Sequence, residues 1–345
     1  MNKTVKCVIW DLDETVWNGI LLENESVQLR PGILEVFDQL DQRGILQSIA
    51  SRNDNGHAMQ MLRDFGIDHY FLYPQINWGA KSSSVQTIAK ELNIGTDSLA
   101  FVDDQPFERD EVASVMPDVL CIDASNIDTI LELPQMKPRF ITQDSRNRRS
   151  MMKADERRKI AEESFQGPQE QFLSSLQLQL TIHRAKEEDL QRAEELTVRT
   201  HQLNSTGYTY SYEELAQLSR SENHLLLVAE LTDIYGTYGK IGLALVEVNA
   251  EVWTLMLLLM SCRVMSRGVG GVLLQQIIQS AMDRNAALQA EFKSTDRNRM
   301  MYMTFKFAGF IEKSRDGDFV LFDYALDKAP TQPSYVQVDV REVSA

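Results

Sequence analysis

Short apolar runs alternate with helical patterns through the first third of the chain, and this alternation restricts the fold more than any other feature. Val5–Trp10, Ile45–Ala50 and Leu99–Val102 read as strands. Between the first two, Pro31 opens a helix with Ile33, Leu34, Phe37 and Leu40 on one side, and Gly44 closes it. Further helices are expected around His57–Phe65 and over Lys81–Leu92, the latter closed by Asn93 and Gly95. Such alternation predicts an α/β domain whose parallel sheet is wrapped on both faces. Ligands of these sheets bind beyond the carboxyl ends of the strands.

The rest of the chain supplies a second domain. With 345 residues, two domains are the natural division. Residues 1–135 form the first, 136–175 a connector, 176–327 the second and 328–345 a tail. Within the connector, Met136–Lys159 is rich in Lys and Arg and reads as a basic helix, either a solvated linker or a surface for an acidic partner. In the second domain Leu176, Leu178, Leu180 and Ile182 alternate as in a half-buried strand. Helices follow over Glu187–Arg199 and Ser211–Ser219. Strands are expected at His224–Leu231, Lys240–Val248 and Val252–Ser261, then a helix over Gly270–Arg284, a helix at Met300–Phe307 and a strand at Phe319–Tyr324. The tail from Lys328 contains two prolines and is expected to lie across the surface.

Composition narrows the function. A formal charge of −15 argues against nucleic-acid binding, because a phosphate backbone needs a basic surface. The cysteines Cys7, Cys121 and Cys262 are far apart, with no CxxC pair, so a cytoplasmic protein without disulfides is expected. The N-terminus reaches two aspartates before a signal-peptide core could form, and Val252–Met260 is too short to span a membrane, so no membrane association is expected.

The chemistry concentrates at the strand ends. Asp11 and Asp13 stand just past the first strand. One carboxylate can attack phosphorus and the other can protonate the leaving oxygen and then activate water. Ser51 follows the second strand, where a hydroxyl can hold a phosphate oxygen. Lys81 begins a helix, so its ammonium and the helix N-terminus can both neutralise phosphate. Asp103 and Asp104 follow a further strand and can join Asp11 around Mg²⁺. In this order the four features resemble the four motifs of the haloacid dehalogenase superfamily. The resemblance implies Asp11 and Asp13 as catalytic residues, Ser51, Arg52, Asn53 and Lys81 at the phosphate, and Asp11, Asp13 and Asp103 at the metal. The gaps between the first three motifs are too short for a full cap domain, so an open site is expected, with a lid supplied by the second domain or a partner.

The strand Val252–Ser261, the loop through Gly268, Gly270 and Gly271, and the apolar helix after it look like the core of a Gcn5-related N-acetyltransferase fold. There a loop and helix N-terminus cradle the pyrophosphate of acetyl-CoA. Met265 stands where that family usually has Gln or Arg, which leaves open the bare phosphopantetheine arm of a carrier protein.

Across nearly its whole length the chain resembles the FkbH-like family. The matching stretches run from Trp10 to Gly19, Ser51 to Asn53, Phe101 to Arg109, His201 to Asn204 and Leu259 to Val264, and end at Gly309 and Phe310. Many members carry an extra N-terminal domain ahead of these stretches. The family implies a Mg²⁺-dependent phosphatase and glyceryl transferase that takes 1,3-bisphosphoglycerate and loads a glyceryl unit onto a phosphopantetheinylated acyl carrier protein in polyketide biosynthesis. The alternative is a Mg²⁺-dependent phosphatase fused to an acetyl-CoA-dependent N-acyltransferase. Cys262 is the candidate acyl acceptor, with Arg263 as a neighbouring cation that can lower a thiol pKa. Cys7 stays as a second candidate. His201 is read as a base for thiol exchange and Asn204 as a donor to the thioester carbonyl, against the plainer reading of a turn. Gly268 and Gly270 are read as the pantetheine-binding loop.

Overall fold

The computed structural model describes residues 4–23, 27–325 and 327–341. The chain divides into two compact units, residues 1–153 and 154–345. The division falls within the basic connector expected between the domains.

In the first unit, strands β1 (Cys7–Trp10), β2 (Leu46–Ser51), β3 (Gln75–Ile76), β4 (Leu99–Asp103) and β5 (Leu120–Asp123) form one parallel sheet in the order β3-β2-β1-β4-β5. β1 and β4 are buried throughout, as apolar runs covered on both faces must be. One face packs Trp10, Ile49 and Val102 under helix α1 (Ile33–Gln42), where Phe37 meets Trp10 edge-on. The other packs Cys7, Ile9 and Phe101 under helices α3 (Lys81–Leu92) and α4 (Pro106–Val115). Helix α2 (Asn55–Asp64) follows β2 and is capped by Asp54, whose carboxylate accepts from the His57 amide. Gly44 ends α1 with φ of 70°, and a Cβ there would come within 2.5 Å of the Ser145 carbonyl oxygen. Among the described residues, the segment between β1 and β2 holds only a short hairpin (Trp17–Asn18 with Gln28–Leu29) and α1, and that between β2 and β3 holds α2 and a single 3₁₀ turn. Neither carries an inserted domain.

The basic helix α5 (Arg148–Ser164) is neither a solvated linker nor a free docking patch. Arg148 donates to the Gly44 carbonyl at 2.7 Å. Arg149 forms two bonds to the Asp41 carboxylate, at 2.8 and 3.0 Å, and a third to the His69 carbonyl. Arg158 is buried and forks onto Asp233 at 2.8 and 2.9 Å, with Asp155 at 2.7 Å and Tyr238 under its guanidinium at 3.6 Å. The arginines are spent on internal bonds that tie the helix down.

The second unit begins with helix α6 (Gln169–Ser175) and strand β6 (Leu178–Arg184), followed by helices α7 (Glu187–Arg199) and α8 (Tyr212–Arg220). Strands β7 (His224–Asp233), β8 (Gly236–Val248) and β9 (Val252–Met260) then form an antiparallel meander. Helix α9 (Val269–Asp283) crosses to β10 (Ala287–Lys293), which lies parallel to β9. Helix α10 (Arg299–Phe307) and strands β11 (Phe310–Asp316), β12 (Phe319–Tyr324) and β13 (Val336–Arg341) complete an eight-stranded sheet in the order β11-β12-β10-β9-β8-β7-β6-β13. The strand, glycine loop and helix expected from the sequence are present, whereas the parallel strand β10 was not expected. β9 and β10 pair only from Val252 to Leu255 and from Ala287 to Ala290, and beyond that they part.

The tail departs from expectation. Instead of lying across the surface, Val336–Arg341 pairs residue by residue with β6, from Val336 opposite Leu178 to Arg341 opposite His183. Val336, Val338 and Val340 alternate with polar residues, as an edge strand requires. No helix among the described residues is long and apolar enough to cross a membrane.

Because Arg158 is buried and paired on two sides, Arg158→Met should leave the Asp233 carboxylate without its cation. We expect a loss of about 3–5 kcal/mol in the stability of the second unit, read as a lower urea midpoint with unchanged slope. A loss below about 1 kcal/mol would mean that the pair is replaceable by packing.

Candidate active site

One lysine organises the first unit's strand ends. Lys81 is the first residue of α3 and is almost wholly enclosed. Its Nζ donates to Asp11 Oδ1 at 2.5 Å, to the Ala50 carbonyl at 2.9 Å and to Asp103 Oδ2 at 3.0 Å, and it pairs with Glu108 Oε2 at 2.9 Å. Asp11 follows β1, and its amide donates to the Val102 carbonyl on the neighbouring strand. Asp103 ends β4, and Glu108 lies in the first turn of α4.

Three buried carboxylates thus surround one ammonium, and their ligand atoms all lie within 4.8 Å of one another. Burial raises the Asp11 pKa, although Lys81 and the Ser51 hydroxyl oppose the rise. Burial and the neighbouring Asp11 push Asp103 up to about 7. Burial works against the charge of Lys81, but the three carboxylates outweigh it and hold its pKa above the ordinary value. The cluster is short of positive charge. A hard divalent cation with oxygen ligands would supply it, so the residues present fit Mg²⁺.

Of the expected Asp11, Asp13 and Asp103, the structure brings the carboxylates of Asp11 and Asp103 together, with Glu108 beside them. Asp13 lies outside the cluster. Its Oδ1 accepts from Trp17 Nε1 at 2.7 Å and the Leu21 amide at 3.1 Å, and its Oδ2 accepts from Asn53 Nδ2 at 3.0 Å. Burial raises its pKa. Asn53 therefore orients Asp13, a role distinct from the phosphate contact expected of it. Ser51 is buried beside Asp11. Arg52 donates to the Gly79 carbonyl and pairs with Glu108 at 3.0 Å, which clips the loop before Lys81 to α4. Asp104 accepts from the Gln105 side chain. Glu108 was given no role by sequence reasoning. Its one signal was its place in the first turn of the helix that follows Asp103.

In the second unit, the gap between β9 and β10 is filled by the chain itself. The Met260 amide donates to the Leu203 carbonyl, the Ser205 amide to the Leu258 carbonyl and the Lys293 amide to the Ser205 carbonyl, all at 2.9 to 3.0 Å. Ser205 Oγ accepts from the Leu258 amide, and Asn298 Nδ2 bridges the Asn204 and Lys293 carbonyls. Asn204 is buried, and its amide closes a turn. Oδ1 accepts from Thr206 and Gly207, and Nδ2 donates to the Tyr208 carbonyl. The turn reading holds, and Asn204 is not free to donate to a thioester. His201 is exposed just before this segment.

Gly268 caps α9 with φ of 70°, and a Cβ there would meet the Tyr335 hydroxyl at 2.5 Å. Beside it lies a cavity of about 130 Å³ lined by Leu203, Met260, Met265, Gly268, Gly270 and Met301 among others. Cys262 is exposed and is not part of this lining. Its Sγ has Gln202 Oε1 at 4.0 Å, and partial burial raises its pKa. Arg263 does not activate it, because its guanidinium bonds the Tyr238 carbonyl at 2.7 Å and approaches Asp155. Cys7 is wholly enclosed in the first unit's core and burial pushes its thiol far up, which removes it as an acyl acceptor.

Residues 16–115 match the family model of haloacid dehalogenase-like hydrolases. The first unit carries a haloacid dehalogenase-like hydrolase domain. No curated protein matches the chain. Among solved structures, the N-terminal part of a Bacteroides fragilis protein containing a phosphatase domain, complexed with Mg, is 28% identical over 39% of this chain and 40% of that one, with a TM-score of 0.33. The Escherichia coli ribosomal-protein-S18-alanine N-acetyltransferase is 19% identical over 43% of this chain and 95% of its own, with a TM-score of 0.34. The PaiA N-acetyltransferase from Thermoplasma acidophilum, in complex with coenzyme A, is 17% identical over 43% of this chain and 99% of its own, with a TM-score of 0.35. The chain is α/β throughout: a haloacid dehalogenase-like parallel sheet precedes an eight-stranded mixed sheet.

Glu108→Gln should weaken apparent Mg²⁺ affinity by about tenfold or more, read from the Mg²⁺ dependence of phosphate release. Asp104→Asn should shift it less than about twofold, since Asp104 stands outside the cluster. Equal effects would remove Glu108 from the metal set.

Proposed function

We propose that this chain is a bifunctional phosphatase and glyceryl transferase that uses 1,3-bisphosphoglycerate to load the phosphopantetheine thiol of an acyl carrier protein. The observation that carries the reading is the pairing, on one chain, of an intact Asp11–Lys81–Asp103 site with an acyltransferase-like sheet. The two halves suit the two ends of this substrate. At one end an acyl phosphate is already activated. The thiol sulfur attacks the carbonyl carbon, the carbon–oxygen bond to phosphate breaks, and the thiol proton leaves with the inorganic phosphate. At the other end a stable phosphate monoester needs a dedicated catalyst.

Asp11 is the candidate nucleophile for that second step. Its carboxylate oxygen attacks phosphorus and the ester P–O bond breaks. Asp13 gives its proton to the departing alkoxide. Asp13 then takes a proton from water, which attacks the aspartyl-phosphate and regenerates Asp11. The raised pKa of Asp13 suits a group that must hold a proton before the step. Lys81 keeps Asp11 aimed and neutralises charge on the phosphoryl oxygens, and Ser51 supports it. Asp11, Asp103 and Glu108 would hold Mg²⁺, which would supply further charge neutralisation.

In the second unit, the apolar cavity lined in part by Gly268 and Gly270 is the candidate place for the pantetheine arm. Cys262, exposed beside this loop, is the candidate acyl acceptor before the carrier thiol, with His201 as the candidate base. The thiol's raised pKa means that such a step needs a base or high pH.

The test is intact mass after incubating the chain with 1,3-bisphosphoglycerate, Mg²⁺ and a phosphopantetheinylated carrier. The carrier should gain a glyceryl unit. With Asp11→Asn it should instead gain the phosphoglyceryl unit, because acyl transfer does not use Asp11. Cys262→Ala should lose loading if the enzyme thioester is obligatory, while Cys7→Ala should retain it. No carrier adduct, together with acetyl transfer from acetyl-CoA to an amine, would overturn the reading in favour of a phosphatase fused to an N-acyltransferase.

A further inference from the structure

We propose that Arg30 is a positioning residue for Asp13, holding the turn that aims this carboxylate at the leaving oxygen. The inference deepens the phosphatase half of the proposed function and rests on that reading. The backbone turns sharply directly after Asp13. Glu14 has φ of 52°, in the left-handed region that residues other than glycine seldom adopt. The amides of Thr15, Val16 and Trp17 all donate to the Leu12 carbonyl, which coils the chain back on itself. This coil brings Trp17 Nε1 and the Leu21 amide to Asp13 Oδ1.

Arg30 clamps the coil from outside. Its Nη2 donates to the Glu14 carbonyl at 2.6 Å and its Nε to the Thr15 carbonyl at 2.9 Å. Nη1 reaches the Ala124 carbonyl at 3.2 Å, directly after the edge strand β5. The Arg30 amide donates to the Val16 carbonyl, so its own backbone is fixed to the same turn. On the hairpin side, the Glu14 amide donates to the Gly19 carbonyl and Glu14 Oε1 accepts from the Gly19 amide. The strained residue is thus held from both sides, with Asp13 its immediate neighbour. These three guanidinium bonds go to carbonyls rather than carboxylates, so they fix backbone position rather than balance charge. A planar fork with donors at three nitrogens suits the task, and an ammonium on a shorter reach does not. Asp11 does not depend on this clamp, because Lys81 holds its side chain and the Val102 carbonyl its amide. Losing Arg30 should therefore misplace the acid and spare the nucleophile. A displacement of about 1 Å at such a group can cost about a hundredfold in rate.

The test compares two phosphate monoesters on the full chain with Mg²⁺. In both, Asp11 attacks phosphorus and the ester P–O bond breaks. The alkoxide of 3-phosphoglycerate must take a proton from Asp13 as it leaves. The phenolate of p-nitrophenyl phosphate keeps the electron pair and needs no proton. Arg30→Met should lower turnover of 3-phosphoglycerate by at least about tenfold. With p-nitrophenyl phosphate, stopped flow should show one p-nitrophenolate released per chain at close to the wild-type first-turnover rate. Slow turnover should follow, because Asp13 must still take a proton from the attacking water. Arg30→Lys should give the same pattern in milder form, and it carries the test if Arg30→Met does not fold. Arg43→Met is the matched control. Arg43 also bonds two backbone carbonyls, those of Leu131 and Met136, away from the turn. It should lower the unfolding midpoint and leave both substrates' kinetics unchanged. Unchanged turnover in both Arg30 variants would overturn the proposal. So would a burst slowed as much as turnover, or the same kinetic pattern in Arg43→Met. A wild-type chain that releases phosphate from neither compound would overturn the phosphatase reading itself, and this inference with it.

Discussion

The first unit depends on the ammonium of Lys81. It draws together the ends of β1, β2 and β4 and the first turns of α3 and α4, through Asp11, the Ala50 carbonyl, Asp103 and Glu108. Except for β4 and α4, which follow one another directly, these segments are distant in sequence. Removing the cation would leave three buried carboxylates facing one another, a far larger cost than losing a surface ion pair. The same arrangement makes the site chemically useful. Lys81, even with Arg52 on Glu108, does not balance three carboxylates, and the deficit would draw a divalent cation, which in turn would attract a phosphate. Arg52 extends the network outward by joining Glu108 to the loop before Lys81, so the geometry of the site and the packing of α3 and α4 are set together.

In the second unit the governing constraint is the parting of β9 and β10. Two parallel strands that separate leave backbone groups without partners, and these must be satisfied. The segment Leu203–Ser205 meets most of that need, with Ser205 using both its backbone and its hydroxyl. Asn204 and Asn298 lock the insert in place. A small apolar cavity and a larger charged one both border this stitched region.

Much of this was legible in the sequence where the signal is local. α3 begins at Lys81 and α7 runs from Glu187 to Arg199, as their periodicity and caps predict. Asp11, Ser51, Lys81 and Asp103 could be singled out because each follows or closely precedes an apolar run that becomes a strand or helix. What was not legible depends on partners distant in the chain. Arg148, Arg149 and Arg158 look like a basic surface until Gly44, Asp41 and Asp233 are brought to them. The partners of the Asp13 carboxylate, Trp17 and Asn53, are not read from the DxD motif either. Glu108 carries no motif of its own and gains its place only when α4 packs beside α3. β13 was obscured by the prolines before it, although its alternating valines carried the strand signal.

The cluster around Lys81 holds more carboxylates than cations and fits one divalent metal ion. Calorimetric titration of the full chain with Mg²⁺ tests it most directly. The account predicts one Mg²⁺ bound per chain, with binding lost in Asp103→Asn while the fold persists. Absence of Mg²⁺ binding to the wild-type chain, or binding unaffected by Asp103→Asn, would contradict it.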